Sequence, residues 1–105
     1  MSEVEETLKE RGDRYGDFSD HARIAQGLQD LMRSYKKVSA TFSGEGIGHV
    51  NVEEKPWDKL DPVKRQALTV MADKIARILS GDPEYADNWH DIQGYAKLVE
   101  DRLEK

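Results

Sequence analysis

The 105-residue chain contains no cysteine, so no disulfide framework, thiolate metal site or cysteine nucleophile is available to it. It has no excess of positive charge either: 16 Lys and Arg stand against 21 Asp and Glu, a formal net charge of −5. That balance, with no basic block in the chain, argues against duplex nucleic acid as a partner. No apolar run approaches the ~18 to 20 residues that a membrane span requires, and none resembles the core of a signal peptide. The cytoplasm is therefore the expected compartment. Only three prolines interrupt the chain, and no Gly-x-Ser-x-Gly elbow occurs, which leaves acyl transfer without its usual nucleophile.

What is present is mostly helical pattern. With 37% apolar and 35% charged residues, the composition suits one small domain with a modest core under a solvated surface. Ser2 with Glu5 forms a capping box, predicting a first helix to about Arg11 whose apolar stripe is Val4 and Leu8, stopped at Gly12. Asp17 or Ser19 caps a second helix, with an inward face of His21, Ile24, Ala25, Leu28, Leu31, Met32, Tyr35 and Val38. The period then changes to alternation at Val38, Ala40 and Phe42, and again at Val50 and Val52, around Gly44, Gly46 and Gly48. That pattern predicts a hairpin or flap near residues 39–55. The glycine run lacks the Lys-Ser or Lys-Thr ending of a phosphate loop, so a permissive tip is the better reading.

Asp61-Pro62 is a strong helix start, and a third helix to Leu79 would bury Ala67, Leu68, Met71, Ile75, Ile78 and Leu79. Gly81 and Pro83 stop it. A fourth helix over about 84–103 has the stripe Trp89, Ile92, Ala96, Val99 and Leu103, bordered by Tyr95. The expected fold is an all-α, antiparallel bundle of about four helices, a single domain over residues 1–105, completed by a second copy as a homo-oligomer.

Several polar constellations are candidates for chemistry. Asp87, His90 and Asp91 project from neighbouring turns of the fourth helix, and Asp87 with Asp91 could ligate Mg²⁺ or Mn²⁺; the alternative is a solvated acidic face. Lys74 and Arg77 flank the apolar stripe of the third helix, where a phosphate would find both a planar fork and a mobile point charge. Arg11 and Arg14 could join them from the first loop, while pairing with Asp73 or with carboxylates of the fourth helix is the plainer use. His21 sits on an apolar stripe just after an aromatic, flexible and acidic turn; it is either a hydrogen-bonded core histidine or a ligand contact. Tyr15, Trp89 and Tyr95 offer rings that could stack on a nucleobase, although their spacing also suits packing.

Three blocks carry a family resemblance: Arg11 to Phe18 (RGDRYGDF), Lys74 to Pro83 (KIARILSGDP) and Asp87 to Ala96 (DNWHDIQGYA). In this order they resemble a family of small phage and prophage proteins of unknown function. The early Tyr-Gly, the Lys-Ile-x-Arg helix and the late Asp-x-x-x-Tyr are similar, more distantly, to the phage nucleotide-modification-associated domain and to MazG-like all-α nucleotide pyrophosphatases. Those enzymes hold Mg²⁺ around a triphosphate with a Glu-x-x-Glu and a Glu-x-x-Asp pair. Here Glu84 to Asp87 matches the second pair, and Glu3 with Glu6 is the candidate for the first.

The resemblance implies a phage protein, working in the host cytoplasm, that binds a nucleotide or cyclic nucleotide between the third and fourth helices, beneath the first loop. Lys74, Arg77 and Arg14 would hold phosphate, Tyr15, Trp89 or Tyr95 would stack, and Asp91 with His21 would orient a polar edge or ligate Mg²⁺. Metal-assisted phosphoanhydride hydrolysis is the implied chemistry. The alternative is a non-enzymatic anti-defence protein that sequesters a signalling nucleotide or blocks a host protein.

Overall fold

The computed structural model describes residues 2–42 and 49–103, and within them the side chains of all but residues 13–15 and 39–52. Among the described residues the fold is all-α, with four α-helices and a two-stranded hairpin. Ser2 accepts the Glu5 amide and opens α1 (Glu3–Tyr15), whose first turn carries Glu3, Glu5 and Glu6 at the positive end of the helix dipole. The helix runs past Gly12, where the sequence pattern placed its end, and stops at Gly16. There the amide donates to the Gly12 carbonyl at 2.8 Å and the backbone turns to φ +81°. Gly16 is the true stop because a Cβ at that position would fall 1.7 Å from the Ser80 carbonyl oxygen, whereas Gly12 faces open space.

Asp17 caps α2 (Phe18–Ser34) by accepting from the Ser19 and Asp20 amides. The chain then leaves the helix at Tyr35 and enters β1 (Lys37–Phe42), which pairs antiparallel with β2 (His49–Glu54) in a register running from Lys37–Glu54 to Phe42–His49. Val38, which the spacing placed both at the end of the second helix and at the start of the alternating segment, belongs to this strand. The glycine-rich segment 44–48 lies outside the described residues. A 3₁₀ turn (Pro56–Lys59) returns the chain beside α2, with the Arg33 guanidinium 5.6 Å from the centre of the Trp57 ring, and Arg65 donates to the carbonyls of Trp57 and Asp58.

Asp61 caps α3 (Pro62–Ser80) through the Lys64 amide, with Pro62 in the first turn where no amide donor is needed. The fourth helix, α4 (Ala86–Leu103), begins two residues later than its pattern suggests, because Asp82 to Tyr85 form a turn closed by the Tyr85 amide on the Asp82 carbonyl. Helix α3 is central, packing on α2 by one flank and on α4 by the other, both antiparallel to it, while α1 touches α2 and α3 only slightly.

The side chains at the helix seams differ from the apolar stripes. The buried apolar residues are alanines, Ala25 of α2 and Ala67, Ala72 and Ala76 of α3. Small side chains let helix backbones approach, so larger neighbours are displaced to the flanks. Leu31, Ile75, Leu79, Trp89 and Leu103, all assigned inward by their spacing, are exposed, and so are Val4 and Leu8. No helix among the described residues is long and apolar enough to cross a membrane.

Candidate functional site

The sharp turn at Gly16–Asp17 sets the N-terminus of α2 against the C-terminal end of α3, and that placement brings His21 to α3. Nε2 of His21 lies 2.8 Å from Oδ1 of Asp73. Facing a carboxylate, Nε2 is the donor, which leaves Nδ1 for another partner. The second carboxylate oxygen of Asp73 is 3.5 Å from Nε of Arg77, one turn further along α3. Asp73 thus hydrogen-bonds the imidazole and pairs electrostatically with the guanidinium. His21 itself is buried, with the edge of its ring against Phe18 at 5.9 Å between ring centres.

Above this trio lies a cleft of about 400 Å³ lined by Leu8, Arg11, Gly12, Gly16, Asp17, Phe18, His21 and Arg77. Its chemistry is mixed: two guanidinium groups, one imidazole and an aromatic ring that is 78% exposed. The Asp17 carboxyl is spent on the helix cap. The Ser19 hydroxyl, then the Ser19 and Asp20 amides, hold it below the ordinary carboxylate range.

The residues proposed from the sequence divide among separate places. Arg77, His21 and Arg11 meet in the cleft. Lys74 points instead to α4, where its ammonium pairs with Asp91 at 3.0 Å with little exposure of the lysine. The expected convergence of Lys74, Arg77 and Asp91 between α3 and α4 is therefore not formed: the two cations lie only about 60° apart around α3, but Lys74 reaches across to Asp91 of α4 while Arg77 turns back to Asp73 on its own helix. Asp91 and Tyr95 line a separate shallow groove of about 370 Å³ with His90, Gly94 and Leu98. Trp89 is 51% exposed and its indole donates to the Pro83 carbonyl at 2.8 Å.

The Asp87 carboxylate accepts from the Tyr85 hydroxyl at 3.0 Å. With Asp91 engaged by Lys74, the two carboxylates expected to share a metal each face a different partner, and no cluster of three or more His, Asp or Glu side chains forms among the described residues. The Arg14 and Tyr15 side chains lie outside the described residues.

Two participants were not singled out by pattern. Phe18 was legible only as part of the aromatic turn before α2, and Asp73 only as the i,i+4 partner of Arg77. A third residue, Asn88, is 1% exposed, the most deeply enclosed large side chain of α4, and its Nδ2 finds no hydrogen-bond partner among the described residues. No protein-family model, curated protein or solved structure matches the chain, so the reading of the cleft stands on its geometry.

Proposed function

We propose that the protein binds a small phosphate-bearing ligand of the nucleotide class in the cleft between the α1–α2 turn and the end of α3. Arg11 and Arg77 hold the phosphate, Phe18 supplies a stacking face and Leu8 an apolar wall. His21, oriented by Asp73, offers a nitrogen to a polar edge of the ligand. Arg14 and Tyr15 adjoin the same turn in sequence. The observation that carries the reading is the gathering of Arg11, Arg77, His21 and an exposed Phe18 ring around one cavity large enough for a nucleotide-sized ligand.

The test is calorimetric titration of the full chain with nucleoside mono-, di- and triphosphates and cyclic dinucleotides, with and without Mg²⁺. Binding by at least one of them is expected, and Arg11→Ala should weaken it about 10- to 100-fold, the value of one charge-assisted hydrogen bond. Silence across the whole panel removes the proposal. Incubating the bound nucleotide and assaying for pyrophosphate or new products then separates turnover from simple sequestration, since both need the same phosphate contacts.

A further inference from the structure

The described core is too small for the chain that carries it. Its buried apolar residues are four alanines, while large apolar side chains are exposed on every helix. The accessible surface is 8045 Å², against roughly 6,000 Å² for a compact monomer of this mass. The radius of gyration is 19.6 Å, where about 13 Å is usual for this length. Part of this surplus of about 2,000 Å² belongs to the β1–β2 hairpin, whose strands contact chiefly each other, and the exposed apolar side chains of the helices supply uncovered area of the kind an interface between copies buries.

The helical geometry locates the face concerned. Lys74 and Asp91 mark one edge of the α3–α4 seam. The opposite edge of α3 carries Leu68, Ile75 and Leu79, spaced at seven and four residues, and the matching edge of α4 carries Trp89, Ala96 and Leu103, spaced at seven and seven. Ile75, Leu79, Trp89, Ala96 and Leu103 are all exposed and Leu68 is half-buried. On α3 no charged side chain lies on this edge between Leu68 and Leu79; on α4 the exposed Glu100 sits on it between Ala96 and Leu103, so the surface is apolar with one acidic group towards its end.

We propose that this α3–α4 face docks on the same face of a second copy of the chain, forming a two-fold dimer whose core the single chain lacks. A self-complementary apolar patch on an antiparallel helix pair meets its own copy across a two-fold axis with every residue used twice. Arg77 lies two residues from both Ile75 and Leu79, about 200° around the helix, so the ligand cleft faces away from the dimer and remains open. The dimer does not depend on what the cleft binds.

Because the chain has no cysteine, single introduced thiols report on the face directly. Sedimentation equilibrium of the unmodified chain should give twice 12.0 kDa, with a melting temperature that rises with protein concentration. The thiol of Leu79→Cys should label at least about tenfold more slowly than that of Lys97→Cys, which sits on the outer side of α4, and dilution should remove the difference. A monomer at about 100 µM that still melts cooperatively overturns the proposal. So does a dimer in which the two thiols react equally fast, since its interface would be another face. Leu79→Glu should give monomers; if that variant fails to fold, the labelling result on the cysteine variants still decides.

Discussion

Gly16 is where one missing methyl group decides the local structure. Its φ is positive, and a Cβ there would fall 1.7 Å from the Ser80 carbonyl oxygen, an obstacle of backbone that cannot swing aside. Gly16→Ala should therefore cost about 3 kcal/mol or more in thermal or urea unfolding and should abolish ligand binding by moving the α1–α2 turn off α3. Asn88 is the converse case, a polar side chain enclosed where the pattern of α4 shows only its apolar neighbours. Asn88→Asp is nearly isosteric but buries a charge, so a loss of about 2 to 4 kcal/mol is expected at neutral pH. Burial disfavours the ionised carboxyl and raises its folded-state pKa above the unfolded value, so the variant should recover progressively as pH falls from neutral and match the native chain by about pH 4, which unfolding across a pH series would check. Neither residue was legible as special: a glycine reports its φ only in three dimensions, and an enclosed amide looks like any surface asparagine.

The helices themselves were legible, because capping chemistry is local. Asp17 and Asp61 accept the first-turn amides of α2 and α3, and each carboxyl is held below its ordinary range, Asp17 chiefly by the Ser19 hydroxyl and Asp61 chiefly by the Lys64 ammonium. Groups with a lowered folded value stabilise fully above the unfolded pKa, about 4, and lose that contribution as pH falls through the folded values. The melting temperature of the double variant Asp17→Asn, Asp61→Asn should accordingly decline less steeply below pH about 4 than that of the native chain, since Asn caps without titrating. What the periodicity could not show was which members of each stripe lie at the seam. On α3 the fully covered positions are Ala72 and Ala76, with Ile75 and Leu79 on the flank. Ala76→Leu, inserting bulk where the helices approach, should destabilise by about 1 to 3 kcal/mol, measurable by denaturant unfolding.

For the molecule as a whole, the fold class, the hairpin and the number of helices followed from period and caps, while the way the helices share their faces did not. The sequence placed Lys74, Arg77 and Asp91 together because all three border apolar stripes; the structure gives Lys74 to Asp91 and Arg77 to Asp73. The two cations lie only about 60° apart around α3, so which partner each one reaches is a tertiary choice that spacing does not show. Part of the site was still readable, since Arg11, His21 and Arg77 were candidates on chemistry alone and the cleft unites them. Binding that rests on two guanidinium groups at a partly open cleft should weaken as ionic strength rises, and titrations at about 50 and 500 mM salt would show it. A salt-independent affinity would place the binding energy on Phe18 and Leu8 instead.

The contact of Gly16 with Ser80 joins positions separated by most of the chain. A polypeptide emerging amino-end first can wind α1 and α2 early, yet it has nothing to fold them against until α3 has left the ribosome. The cleft is thus a late product of synthesis, assembled only once its distant wall exists: at about 5–20 residues per second translation is far slower than helix formation or loop closure, so the arrival of α3 should set the moment at which the newborn chain becomes competent to bind.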